Sequence, residues 1–248
     1  MSEVDPAITR KAVASPRAAG VLLVSSAVVF WAAEFITAAA WTDPPYSYTY
    51  HYVSNLGGRG PVTTLHQEMN SPLSWVMNTG FFSFGIILAV GVVALRGLSG
   101  WRRIASWVLV LLIAGGGVLL ALNPGDGKEA AGQVDYHAIG AMASILSGNV
   151  LTVLLGRQHR ALGIAPPAGR AMVALGALGL IAIPVYLSVA GSAFELIGLF
   201  ERLAIYPFFL GQSIAGVSLW RRAGRQRAAI EDTDRLARPP VGDPARTG

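Results

Sequence analysis

Four short groups of side chains carry what chemistry this sequence could do: Asp135-Tyr136-His137, His66-Gln67-Glu68, Glu34, and the neighbours Glu201 and Arg202. Imidazole beside carboxylate suits zinc, manganese or iron, and without a metal it can poise a histidine as a general base oriented by an acid. On that ground His66, Glu68, Asp135 and His137 are candidate metal ligands, and His66, Asp135, His137 and Glu201 are candidate catalytic groups. Neither histidine–acid group has the four-residue spacing that puts two ligands on one helical face, so both would work from loops or helix ends. There is no Gly-x-Ser-x-Gly elbow and no His-Glu-x-x-His motif, which removes two common hydrolase signatures. Cysteine is absent, excluding disulfides, thiol chemistry and cysteine-based zinc sites. No particular cofactor is specified.

The elements that must position these groups are membrane helices. Of 248 residues, 53% are hydrophobic and 13% charged, against about 25% charged in soluble domains. The apolar residues are gathered into runs of about 20, the length that crosses a hydrocarbon core of roughly 30 Å. Six spans are expected, at about 18–41, 72–95, 104–122, 136–155, 171–189 and 199–220, giving an all-α bundle. An amino-terminal arm (1–17) precedes the membrane domain (18–220), and a charged tail (221–248) without apolar periodicity is expected to be unstructured. Ser71 before Pro72 reads as a helix start, and Pro184 as a kink. Between the first two spans lies the longest interruption, with alternating Tyr46, Tyr48, Tyr50 and Tyr52 suited to an extended or interfacial segment.

Charge fixes the expected orientation. Sixteen of the 19 Lys and Arg residues fall in the amino-terminal arm, turns 96–103 and 156–170, and the tail; Arg59, Lys128 and Arg202 fall opposite. That asymmetry predicts cytoplasmic termini in a bacterial plasma membrane and places the basic residues at lipid headgroups, not on nucleic acid. The acids fall on the other side: Glu34, Asp43, Glu68, Asp126, Glu129, Asp135, Glu195 and Glu201, with His51, His66 and His137. His159 belongs to a basic turn and is expected to face solvent. Ionisable groups inside a membrane usually face the bundle or an aqueous cavity, so Glu34, Asp135, His137, Glu201 and Arg202 are expected to share an outward-facing polar pocket.

Three readings of that pocket stay open. In one it is structural, with Arg202 neutralising Glu34 or Glu201, Asp135 capping a helix and His137 bonding a loop carbonyl. In a second it is a metal- or histidine-dependent hydrolase or transferase acting on lipid headgroups. In a third it binds membrane lipid or another amphiphile, Arg202 holding an anionic headgroup, with Asn78, Asn149, Gln212, Pro184 and Pro207 as candidate cavity-lining positions. Gly140, Ser144 and Gly148, spaced four apart, form a small-residue stripe on which a partner helix or a second copy could pack, as in a scaffold subunit.

Four segments resemble a bacterial family of unknown function, number 998 of its series: 50–57 (YHYVSNLG), 71–78 (SPLSWVMN), Asn123-Pro124-Gly125-Asp126-Gly127 followed by Asp135-Tyr136-His137-Ala138, and 198–202 (GLFER). The likeness would cover about residues 20–220. It implies a six-span inner-membrane protein, distantly similar to eukaryotic multispan proteins that include lipid-remodelling factors of the glycosylphosphatidylinositol-anchor pathway. It marks Ser54, Asn55, Gly57, Asn78, His137, Glu201 and Arg202 as family-like, with no catalytic role attached. Glu34, Ser54, Asn55, Asn78 and Arg202 are the resulting candidate ligand-binding residues.

Overall fold

A computed structural model describes residues 16–125 and 134–237. Asp126, Lys128 and Glu129 lie outside the described residues. Six long helices are apolar enough to cross a membrane: α1 (Pro16–Ala40), α2 (Ser74–Val93), α3 (Gly100–Leu122), α4 (Tyr136–Arg157), α6 (Pro166–Val189) and α7 (Ile197–Ala237). A single turn, α5 (His159–Leu162), joins α4 to α6 and stops at Gly163, whose φ of 68° is the left-handed conformation glycine adopts without steric cost. His159 is half-buried there, donating from Nδ1 to the Gly156 carbonyl at 3.0 Å, and not solvent-facing as the sequence suggests.

Helix ends follow local chemistry, with two departures from expectation. Asp135 caps α4, its Oδ1 accepting from the Ala138 amide at 2.8 Å, and Pro166-Pro167 opens α6 where amides have no intrahelical partner. Ser71 does not cap α2. Its hydroxyl donates to the Leu56 carbonyl at 2.7 Å and α2 begins only at Ser74. Nor is the tail unstructured over its described residues, 221–237: α7 continues to Ala237, and its 41 residues span roughly 60 Å at 1.5 Å per residue, about twice a bilayer core.

The six helices form a closed ring in which α1 packs on α2, α2 on α3, α3 on α4, α4 on α6, α6 on α7 and α7 back on α1, with α4 also touching α7 across the interior. Small residues set the close crossings. A Cβ on Gly20 of α1 would lie 2.6 Å from the Gly216 carbonyl oxygen of α7, so the two backbones touch there. Gly140 and Ser144 face Gly116 of α3, and Gly148 faces the Phe208 ring; the stripe expected to receive a partner helix is therefore occupied inside the bundle. Five phenylalanines from three helices fill the centre: Phe30 stacks on Phe209 at 4.2 Å, Phe209 lies 4.1 Å from Phe208, and Phe81 and Phe84 close on Phe30 at 6.1 and 5.7 Å. Outward positions carry large apolar side chains, among them Val28, Ile36, Trp75, Ile104, Leu111 and Ile181, as a surface facing acyl chains requires.

The described arginines divide between the two ends. Arg17, Arg96, Arg102, Arg103, Arg157, Arg160, Arg170, Arg221, Arg222 and Arg225 belong to the end where α1 starts, and Arg59 and Arg202 to the other. That second, loop-rich end is covered by residues 41–73. This segment is a cap and not an extended strand: it holds a 3₁₀ turn (Ser54–Gly57) and a hairpin of β1 (Val62–Thr64) with β2 (Gln67–Met69), Thr64 opposite Gln67. Trp41, His51, Tyr52, Val53, Leu56 and Met69 are among its buried side chains.

Candidate functional site

Glu201 and Arg202 are successive residues near the start of α7, so their side chains leave the helix about 100° apart. Each turns to a different task. Arg202, 4% exposed, points at α1 and at the cap. Its Nε and Nη2 donate to Glu34 Oε1 at 3.1 and 2.9 Å, and Glu34 is fully buried. Nη1 donates to the carbonyls of Tyr48, His51 and Gly198 at 2.7, 3.0 and 3.1 Å. Nη2 also reaches the Tyr46 hydroxyl, and Tyr206 donates to Glu34 Oε1 at 2.8 Å. The guanidinium carbon sits 5.6 and 5.0 Å from the Tyr46 and Tyr48 ring centres, within cation–π range. Every nitrogen of Arg202 is thus committed to the protein, and none is presented to a ligand.

Around this pair the cap is tied down residue by residue. His51 packs in one cluster with Trp41 and Tyr46, its ring 5.3 and 5.2 Å from theirs, and its Nδ1 accepts from the Ser47 amide at 2.9 Å. Burial, then the positive charge of Arg202, hold this imidazole below its ordinary value and therefore neutral. Burial likewise raises the phenols of Tyr46, Tyr48 and Tyr52. Gln67 clamps the cap to its hairpin, its Oε1 accepting from the Tyr52 amide at 3.2 Å and from Asn55 Nδ2 while its Nε2 donates to the Tyr50 carbonyl. Asn78 Nδ2 holds the Gly57 carbonyl at 3.0 Å from α2.

Glu201, 5% exposed, turns the other way. Its Oε2 accepts from the Val53 amide, and no Lys or Arg pairs with it among the described residues. It lines a cleft of about 370 Å³ at the loop-rich end, bounded by the cap (Tyr52, Ser54, Asn55), by the start of α4 (Asp135, His137, Ala141, Ile145) and by the end of α6 (Tyr186, Leu187). Behind it, lined by the same Ser54, Ala141, Ile145 and Glu201, lies a void of about 30 Å³ against Phe30, Phe81, Phe84, Phe208 and Phe209. Polar residues at the mouth, apolar ones behind: that is the gradient along the cleft.

The sequence-predicted residues divide accordingly. Ser54, Asn55, Asp135, His137 and Glu201 meet at the cleft. Glu34 and Arg202 form the buried pair beside it, and Asn78 holds the cap. His66 and Glu68 lie apart on the hairpin, exposed, with His66 in its two-residue turn. Among the described residues no three His, Asp or Glu side chains come together as a metal would need. Asp135 and His137 do not form an acid–base dyad. Asp135 caps α4, and His137 Nδ1 donates to the Asn123 carbonyl at 2.7 Å. Tyr186 and Tyr206 are not singled out by sequence reasoning, and Tyr46, Tyr52 and Gln67 enter it only as members of the interfacial tyrosine alternation and of the His66-Gln67-Glu68 group, without a site role. Tyr206 had a signal, since it stands four residues after Arg202 on one helix face; Gln67 and Tyr186 had none.

The chain belongs to the family described as protein of unknown function (DUF998), whose model matches residues 24–218. No curated protein and no solved structure is significantly similar to it.

Proposed function

For this member of the family, we propose that the cleft at the loop-rich end binds a lipid or other small amphiphile, and that this end faces away from the cytoplasm of a bacterial cell. One observation carries the reading. A single cleft joins apolar helix surface to polar atoms that bond nothing in the protein. Ser54 Oγ, Glu201 Oε1 and the Tyr186 hydroxyl have no hydrogen-bond partner among the described residues, although Glu201 is almost wholly buried. These atoms keep free hydrogen-bonding capacity at the surface of the cleft, and a bound headgroup would use it. Ala141, Met142 and Ile145 of α4 and Leu187 of α6 line the same cleft and offer an acyl chain apolar contact. The distribution of arginine supports the orientation, since basic residues gather on the cytoplasmic side of membrane proteins.

Arg202 takes no part in holding the ligand on this reading, because its donors already serve Glu34 and three carbonyls. The test is retention of amphiphile. Protein purified in an uncharged detergent and extracted for mass spectrometry should carry a bound amphiphile in defined proportion, and Ala141→Trp, which fills the cleft from the half-exposed face of α4, should lose it while still unfolding cooperatively. Wild-type protein carrying nothing, or Ala141→Trp carrying as much, would refute the proposal.

A further inference from the structure

Resting on that reading, we infer that the cleft selects amphiphiles whose headgroup is a cationic ammonium. Two acids line it, Asp135 at the mouth and Glu201 within, together with His137, and no Lys or Arg lines it among the described residues. The nearest guanidinium, Arg202, is turned towards Glu34 and the cap. Glu201 is therefore a carboxylate 5% exposed, bonded through one oxygen to the Val53 amide and without a direct ion-pair partner among the described residues. A buried carboxylate in that condition is costly unless a cation meets it. Two aromatic rings line the same cleft: Tyr52 and Tyr186 stand edge to face with ring centres 6.2 Å apart. A carboxylate and tyrosine rings lining one cleft make the surrounding in which an ammonium is favoured over a neutral group, through direct charge attraction and through the negative ring faces. An anionic headgroup would meet two carboxylates with nothing to offset them.

The inference is tested with octyltrimethylammonium, neutral octylglycerol and octyl sulfate, three probes with one chain and three charges, titrated calorimetrically into full-length protein in a maltoside detergent. Octyltrimethylammonium should bind roughly tenfold or more tighter than octylglycerol, the scale of a desolvated cation over aromatic rings beside a carboxylate, and octyl sulfate should bind weakest. Glu201→Gln can still accept from the Val53 amide and should erase the preference for the cation over octylglycerol. Should that variant fail to fold, Asp135→Asn at the exposed mouth and Tyr186→Leu carry the same test, each reducing the preference. Equal affinity for the cationic and neutral probes, both lost in Ala141→Trp, would overturn the headgroup inference and leave amphiphile binding standing. Binding of all three probes unaffected by Ala141→Trp would overturn both.

Discussion

Substituting Arg202 by Gln should be the most damaging single change at the loop-rich end, and its cost can be worked from its contacts. Arg202→Gln leaves Glu34 fully buried with only Tyr206 donating to it, and it removes the donor that three carbonyls share. Breaking a buried ion pair by removing one partner costs about 3–5 kcal/mol. For a chain of this size that corresponds to a fall of roughly 6–20 °C in the unfolding midpoint. Glu34→Gln should cost less, because Arg202 keeps the Tyr48, His51 and Gly198 carbonyls and the Tyr46 hydroxyl. In the double variant the uncompensated charge disappears. Its cost should fall short of the summed single costs by about 1–3 kcal/mol, the coupling expected of two contacting charged groups. The assay is thermal unfolding of the four proteins in one detergent, followed by tryptophan fluorescence. Additive costs, or Glu34→Gln as damaging as Arg202→Gln, would refute the view that Arg202 joins bundle to cap.

Two further outcomes follow from the cap. His51 is neutral in the folded chain, its value lowered by burial and by Arg202, so the unfolded chain binds the extra proton first as pH falls. Stability should be level above about pH 6.5, the ordinary histidine value, and should decline below it towards the lowered folded value. His51→Gln should flatten that decline in unfolding midpoints measured between pH 7.5 and 5. The hairpin turn places Leu65 and His66 at φ of 48° and 64°, both in the left-handed region where non-glycine residues cost about 1–2 kcal/mol each. Leu65→Asn with His66→Gly, the pair such a two-residue turn prefers, should raise the midpoint by several degrees; a midpoint unchanged or lowered would show that those side chains contribute contacts of their own.

The bundle was legible in the sequence because its signal is one-dimensional: apolar length sets the spans, and proline, glycine and charge mark their ends. Where the reading failed, the deciding contact came from distant sequence. Ser71 reads as a cap for α2, but Leu56 lies across the cap and takes its hydroxyl. Gly140, Ser144 and Gly148 read as a docking stripe, and spacing alone does not tell whether α3 and α7 or another protein fills it. Convergence of Glu34 with Arg202 and of Asp135, His137 and Glu201 at one end follows from their similar depth on neighbouring helices. Depth gives no bearing around the helix axis, so it could not separate the residues that close the structure from those that line the cleft.

That separation turns on Glu201 and Arg202 being adjacent. The same 100° step that sends Arg202 to α1 sends Glu201 to the cleft, and both side chains hold the cap, Glu201 at Val53 and Arg202 at Tyr48 and His51. Tyr52, Ser54 and Asn55 form one cleft wall, so its position depends on Arg202 although Arg202 does not touch the cleft. Arg202→Lys tests this dependence. Lysine keeps a positive charge for Glu34 but is a compact point charge with three donors in place of a planar fork of five, and it cannot serve Glu34 and three carbonyls together. Bundle stability should fall by less than in Arg202→Gln, while backbone amides of residues 48–57 should exchange hydrogen markedly faster and bound amphiphile should be retained less well. Faster exchange across α1 and α7 to the same degree as in the cap would mean that the ion pair acts on the bundle as a whole, and that the cleft wall has no separate dependence on the guanidinium.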